Sequence, residues 1–403
     1  MPSAVIVAAS RSPIGRAVKG SLREVRPDDL AASVVRATLQ QVPALETVPI
    51  DDLMLGCARA AGEAGYNMAR VVAVLAGRPD APGTTVNRYC ASSLQTTRMA
   101  FHAIRAGEGD VFVSGGVETV SRYFKGDTDG LPDTENAAFS AAQIRTSEIA
   151  SGQSTWAEHA GEVPDIYIAM GQTAENVAEL SNVTRHDQDI FSVRSQNLTE
   201  QAILNGFFER EITPVTLPDG TVVNADDSPR AGSTLEAVSQ LAPVFRPNGT
   251  VTAGNCCPLN DGAAAVIVMN EDRARELGIP PLARIISTAV STINPEIMGL
   301  GPVEASTRAL ALAGMTIGDI DLVEINEAFA AQVIASARAL GIDEAKLNIN
   351  GGAIALGHPF GMTGARITTT LLNSLQYHDK QLGLETMCIG GGQGMAMIVE
   401  RLS

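Results

Sequence analysis

Three short segments place reactive side chains at helix-opening or glycine-rich positions. VNRYCASSLQT puts Cys90 after a strand-like run and directly before a helical pattern in which Leu94, Phe101 and Ile104 share one face. At a helix N-terminus the unpaired N–H groups and the macrodipole favour a thiolate, so this position predicts a thiol pKa below the free value of about 8.5. A small buried hydrophobe is the alternative for a cysteine so placed. GGAIALGHPFGMTGAR holds His358 between Gly357 and Pro359, again ahead of a helix, whose buried face is Ile367, Leu371 and Leu375. A histidine in so constrained a loop suits a general base better than a surface role. MCIGGGQGMAM ends a strand at Cys388 and runs on through three glycines. Their backbone N–H groups suit a developing oxyanion, and the same loop serves as a tight turn between the last two strands.

Two further segments supply polar neighbours. DLVEINEAFAAQV sets Asn326 and Glu327 at the C-terminal edge of a strand, the edge where open parallel sheets hold ligands. Asn326 either orients a water or substrate carbonyl or caps the following helix. In TAGNCCPLNDGAAA the adjacent Cys256 and Cys257 close a disulfide only with strain, and two thiols alone cannot satisfy zinc. No metal site is expected.

The elements that must position these groups follow a repeated grammar. Up to about residue 118, strand-like runs (AVIVAA, DLMLGC, TTVNRY, DVFVSGG) alternate with helix-period segments at 28–41, 67–77 and 91–106. From about 283 the pattern restarts: ARIISTAV, a helix over 303–314, DLVEIN, a helix over 328–340, KLNING, a helix over 363–378, then ETMCIGGG and MAMIVER as a closing strand pair. This βαβ order predicts two largely parallel sheets covered by helices, in an internally duplicated chain. Residues 121–255 are more polar, with a helical stretch at 187–204 between irregular segments, and are expected to form an inserted lobe: either a substrate cover or a solvated insertion.

Composition narrows the function. With 403 residues, 45% of them apolar, the chain can fill two or three packed units. A net charge of −16 without runs of Lys or Arg disfavours nucleic acid and anionic membrane surfaces. No stretch approaches the roughly 18 apolar residues of a membrane span, and the opening MPSAVIVAASRSPIG reads as a first strand, not a leader. Five cysteines, without paired spacing, fit a reducing cytoplasm.

In order along nearly the whole chain, RSPIG, VNRYC, SGGVE, MGQTAEN, TAGNCCPLNDGAAA, NEAFA, GGAIALGHPFGMTGAR and CIGGGQG resemble the thiolase family. That resemblance implies an α/β fold of duplicated βαβ halves in five layers, α-β-α-β-α, with an inserted loop lobe. Residues 1–120 with 256–280 would form the N-terminal half, 121–255 the coenzyme A-binding lobe and 281–403 the C-terminal half. It implies an acyl-CoA C-acyltransferase that cleaves 3-oxoacyl-CoA, or condenses acyl-CoA in reverse, through an acyl thioester on Cys90. His358 would activate Cys90 and Cys388 would move the carbon-bound proton. Asn326, through a water, and His358 would form one oxyanion hole, and the N–H groups of Cys90 and Gly390 the second. Arg230, Cys257, Met170 and Phe329 would meet substrate or coenzyme A, with Arg230 at the nucleotide end; a solvated surface arginine is the other reading of Arg230. Coenzyme A would be substrate and no cofactor needed. A homodimer or homotetramer is implied, with a hydratase-dehydrogenase of β-oxidation as a candidate partner.

Three positions depart from the family's usual pattern. Ser93 stands for glycine, Cys257 for a pantetheine-contacting serine, and Ala169 for a histidine frequent in short-chain members. A thiol is the weaker donor, so coenzyme A contact at Cys257 is expected to be altered. A ketoacyl-synthase-like condensing enzyme and a weakly catalytic acyl-CoA-binding subunit of a β-oxidation complex are the competing readings.

Overall fold

The computed structural model describes residues 2–126, 129, 131, 134–158 and 161–403. Nine strands carry the fold: β1 (Ala4–Arg11), β2 (Asp52–Gly56), β3 (Gly83–Val86), β4 (Val111–Thr119), β5 (Asn260–Asn270), β6 (Ala283–Thr292), β7 (Leu322–Ile325), β8 (Leu382–Ile389) and β9 (Gln393–Arg401). The main helices are α1 (Pro27–Gln40), α2 (Met68–Leu75), α3 (Ser92–Ala106), α4 (Met170–Leu180), α5 (Arg185–Leu204), α6 (Gly301–Ala313), α7 (Ala330–Leu340) and α8 (Thr363–Tyr377).

The duplication is visible in the pairing. The first half runs β3-β2-β4-β5-β1 and the second β7-β8-β9-β6, with Leu347 bridging the outer side of β7 where β3 would lie. In both, the early strands pair in parallel and the last two join antiparallel. The sheets are therefore mixed and not largely parallel as the βαβ pattern suggested. β9 follows β8 through a short glycine turn, and so tight a connection can only reverse the chain. Where KLNING predicts a strand, only an isolated bridge, Val323 to Leu347, is present. The halves meet where β1 pairs antiparallel with β6, at Val5–Arg284 and Ile6–Ala283.

Alternation along the strands builds the layers. Val5 and Val7 point into a cluster shared with α1 and α2, whereas Ala4 and Ile6 point into a second cluster with α3 and α8. On β9, Met395, Met397 and Val399 face that same central cluster, and Ala396 and Ile398 face a third one built with α6 and α7. Three apolar cores separated by two sheet surfaces give helix, sheet, helix, sheet, helix. The central helices are covered on both sides, so their polar groups must find internal partners.

The stretch between β4 and β5 supplies α4, α5 and a two-stranded ribbon, Val215–Thr216 with Val222–Val223. It is tied to the first strand by charge. Fully buried Arg11 donates from Nε to Glu211 Oε1 at 2.6 Å and from Nη1 and Nη2 to Asp226 Oδ1 and Oδ2 at 2.7 and 2.9 Å. Removing one partner of a buried ion pair strands the others in low dielectric. Arg11→Leu is therefore expected to destabilise the protein by about 3–5 kcal/mol, read as a lowered urea midpoint; an unchanged midpoint would show that the two carboxylates do not depend on Arg11.

Candidate active site

Cys90 lies in a single turn, Tyr89–Ala91, between the end of β3 and the start of α3. Tyr89 adopts a left-handed φ of 44°, an uncommon conformation for a bulky residue, which reverses the chain just before the thiol. The backbone N–H groups of Gly390 and of Cys90 itself are directed at the sulfur. These are the two donors anticipated for one oxyanion hole. The thiol's acidity departs from expectation: burial pushes Cys90 up to about 12, the two N–H groups oppose that shift, and the Glu118 carboxylate adds to it. A helix N-terminus offers at most about 2 kcal/mol, under two pKa units, so burial wins.

His358 occupies the loop between the turn Ala353–Leu356 and α8, and is buried. Thr363 donates its hydroxyl hydrogen to Pro359 O at 2.8 Å, and so accepts from His358 Nδ1 at 2.7 Å. The imidazole proton is thereby placed on Nδ1 and the lone pair on Nε2. Burial, with Arg366 nearby, lowers the imidazole pKa to about 3, which keeps it neutral at ordinary pH. Asn326 Nδ2 lies 3.3 Å from Nε2. The helix after Asn326 begins only at Ala330 with Phe329 at its N-cap, so Asn326 is no cap. Its Oδ1 is a buried acceptor without a partner.

Cys388 is the penultimate residue of β8 and fully buried. Burial and the neighbouring Cys90 raise its pKa well above the thiol range. Phe329, Met170 and Cys256 pack in the same small apolar cluster as Cys388. Cys257 donates its N–H to Ala328 O at 3.0 Å, and its half-buried thiol feels Cys256, Cys90 and Cys388. Arg230 is exposed at the rim, close enough to influence Cys256. The structure thus sets Gly390 at Cys90, brings Cys388 and Cys257 close enough to Cys90 to act on one another, pairs His358 with Asn326, and packs Met170 and Phe329 beside Cys388, with Arg230 further out.

Sequence reasoning missed Glu118 and Asn260, and the bracing role of Glu327. Glu118, buried at the end of β4, accepts from the backbone N–H of Ala58 and of Gly361, each at 2.9 Å, tying the histidine loop to the first half. Asn260 Oδ1 accepts from His358 N at 3.1 Å while its Nδ2 donates to Gly15 O at 3.0 Å. Glu327 accepts from Ser195 Oγ, Asn348 Nδ2 and Ile354 N, holding the turn before His358. The available signal was a lone acid or amide inside an otherwise apolar, glycine-rich run, as in SGGVE and PLNDG. Ser93 has a local reason: its hydroxyl accepts from Ala365 N at 2.9 Å, one of the donors left open at the start of α8.

Comparison with known proteins agrees with this geometry. The thiolase N-terminal domain profile matches residues 4–272 and the thiolase C-terminal domain profile residues 279–401. The chain belongs to the thiolase family. It is 43% identical to the 3-ketoacyl-CoA thiolase of Bacillus subtilis, over 99% of this chain and 100% of that one. It is also 43% identical to a beta-ketoadipyl-CoA thiolase of Acinetobacter baylyi, covering 100% of both. The dimeric peroxisomal thiolase of Saccharomyces cerevisiae superposes with a TM-score of 0.89 at 34% identity, over 99% of this chain and 97% of that one.

A thiol pushed up by burial ionises only as it reacts or at high pH. Alkylation of the free thiolase by iodoacetamide at Cys90 is expected to rise continuously from pH 6 to 9, because more thiolate forms as pH approaches the raised pKa. A plateau already reached near pH 7 would mean a preformed thiolate and would reverse this assignment.

Proposed function

We propose that this thiolase carries an acyl group on Cys90 Sγ between coenzyme A molecules, cleaving 3-oxoacyl-CoA to acetyl-CoA and a shortened acyl-CoA, or condensing them in reverse. The observation that carries the reading is a pair of interacting thiols, Cys90 and Cys388, together with a neutral His358 whose Nε2 lone pair is met only by Asn326 Nδ2 among the described residues. Nε2 takes the Cys90 proton, and the thiolate sulfur bonds to the keto carbon. The resulting alkoxide is held by donors preorganised for it. Its collapse breaks the bond between C2 and C3, leaving the electron pair on C2 as the acetyl-CoA enolate. Cys388 delivers its proton to that carbon. A second coenzyme A then gives its thiol proton to the Cys388 thiolate and attacks the thioester. His358 returns its proton to the departing Cys90 sulfur, and every group regains its starting state.

The two oxyanion sites have separate support. Gly390 N–H and Cys90 N–H already face the sulfur, so they suit the thioester oxygen. Asn326 and His358, 3.3 Å apart at Nε2, suit the enolate oxygen, with the unpartnered Asn326 Oδ1 fit to hold a water. No cofactor enters this scheme; coenzyme A is a substrate, with Arg230 near its nucleotide end. We further propose a homodimer or homotetramer acting in the cytoplasm; a hydratase-dehydrogenase that makes the 3-oxoacyl-CoA is a natural partner. Among the described residues no helix is long and apolar enough to cross a membrane.

The test separates the two half-reactions. Cys388→Ala is expected to retain acyl exchange, seen as one acetyl adduct on Cys90 by mass spectrometry after acetyl-CoA treatment. It should lose carbon–carbon cleavage by roughly 10²–10⁴-fold, the usual contribution of a positioned acid or base. Equal loss of both activities, or an adduct on another cysteine, would contradict this division of labour.

A further inference from the structure

Gly390 donates the N–H that faces the Cys90 sulfur, yet the turn that carries it has little packing at that end. The turn is Gly390–Gly392, closing the hairpin between β8 and β9, with Ile389 paired to Gln393 at its base. Its far end is fixed by backbone: Gly392 O accepts from Ile293 N at 2.7 Å, and a Cβ on Gly392 would collide with Ile293 O. Its near end is not. A Cβ on Gly390 would meet nothing closer than Tyr89 Cγ at 3.6 Å, so the neighbouring side chains leave that peptide room to turn. Glycine itself adds conformational freedom there.

One side chain spans the gap. Gln393 Nε2 donates to Gly390 O at 3.4 Å, and Gln393 Oε1 accepts from Arg88 Nη1 at 3.0 Å. A guanidinium only donates, so Arg88 draws the amide oxygen to itself and turns the NH2 group toward Gly390. At 3.4 Å the second bond is weak alone and lasts only while the amide is kept from flipping. The backbone of Arg88 is in turn locked to the nucleophile's turn. Its N–H donates to Ser92 Oγ at 2.9 Å, Ser92 Oγ donates to Tyr89 O at 2.6 Å, and Ala91 N–H donates to Arg88 O at 3.0 Å. The contacts thus leave the Cys90 turn through Arg88, cross Gln393 and return to the sulfur through Gly390 N–H. Glu118 is among the charges that act on the Cys90 thiol and Arg88 is not, so the effect of Arg88 is geometric.

We propose that Arg88 and Gln393 are positioning residues: Arg88 orients the Gln393 amide, which holds the Gly390 peptide so that its N–H completes the hole for the acyl oxygen on Cys90. The inference rests on Cys90 being the acyl carrier. Neither side chain touches substrate in this role. Removing an oxyanion donor outright costs about 10²–10³-fold in rate, and a donor that is present but misaligned costs less, roughly ten- to hundredfold.

The test follows acetylation of Cys90 by acetyl-CoA on the full-length enzyme, by rapid quench and mass spectrometry. Arg88→Met and Gln393→Met are each expected to slow it by roughly ten- to hundredfold at saturating acetyl-CoA, with the half-saturating concentration little changed. The double variant should be no slower than the slower single one, because one residue acts through the other. Arg88→Lys keeps a donor and should recover part of the rate. Gln393→Glu keeps an acceptor for Arg88 but cannot donate to Gly390 O. It should be slow with an unlowered urea midpoint, and it serves if the Arg88 variants fail to fold. Iodoacetamide gives a readout that needs no acyl group. Gly390 N–H lowers the Cys90 pKa, so loosening it raises that pKa and leaves less thiolate; alkylation at pH 9 should therefore be slower in the variants. Unchanged acetylation and alkylation in the folded variants would overturn the positioning role, and so would single effects that multiply in the double variant. Wild-type acetylation on a cysteine other than Cys90 would instead remove the acyl-carrier reading, and this inference with it.

Discussion

The site depends on the meeting of two helix N-termini in the middle layer. α3 begins just after the nucleophile and α8 just after the histidine loop, and the two helices touch at their first turns. A Cβ on Gly364 would collide with the backbone nitrogen of Leu94, so only glycine allows the approach. Ser93 then uses its hydroxyl to satisfy Ala365 N across the contact. Because α3 belongs to the first half of the duplicated chain and α8 to the second, neither half alone holds both Cys90 and His358.

That placement has an electrostatic consequence. A helix N-terminus on a wet surface would favour a thiolate, as in many reactive cysteines. Here the same N-terminus is covered by the glycine loop and by the polar stretch between β4 and β5, through Met170 and the contacts of Gly390. The burial that raises the Cys90 thiol also lowers His358, so both partners rest neutral. The proton transfer proposed between them would then create charge only when a substrate carbonyl is present to receive it. The preorganised N–H donors are worth most in such a dry setting, where they act without solvent reorganisation.

The order of strands and helices was legible because period-2 and period-3.6 runs are local properties, and the closing strand pair around CIGGGQG appears as read. The local setting of the three proposed reactive residues was legible for the same reason, each sitting in a short segment with its own turn chemistry. Strand direction was not: β5 joins its sheet after an insertion of more than a hundred residues, and nothing in NDGAAAVIVMN states which neighbour it will choose. The direction of the Cys90 shift was missed because it is set by residues far away in sequence. Glu118 and Asn260 were hidden in the same way, since their role is to hold the backbone of a loop some hundred or more positions distant.

Burial extends beyond the reacting groups to the register of α8. Glu324 on β7 and Glu385 on β8 are directly paired across parallel strands, and burial pushes each up to about 8. Arg366, on α8, offsets that shift at both, while Thr368 donates to Glu385 Oε1 at 2.8 Å. Thr370, a half-turn further, donates to Glu211, the same carboxylate that receives Arg11. At neutral pH two acids raised so far, even with Arg366 and Arg194 nearby, cannot both be fully ionised, which leaves one of them to act as a neutral donor. Apolar side chains of similar volume would fill this space at little cost in stability, but they would let the helix slide or rotate. Directional polar contacts fix its rotation, and Thr363, at its first position, carries that precision to His358 Nδ1. The tautomer of the base is thus set by the packing of a helix whose far face never meets substrate.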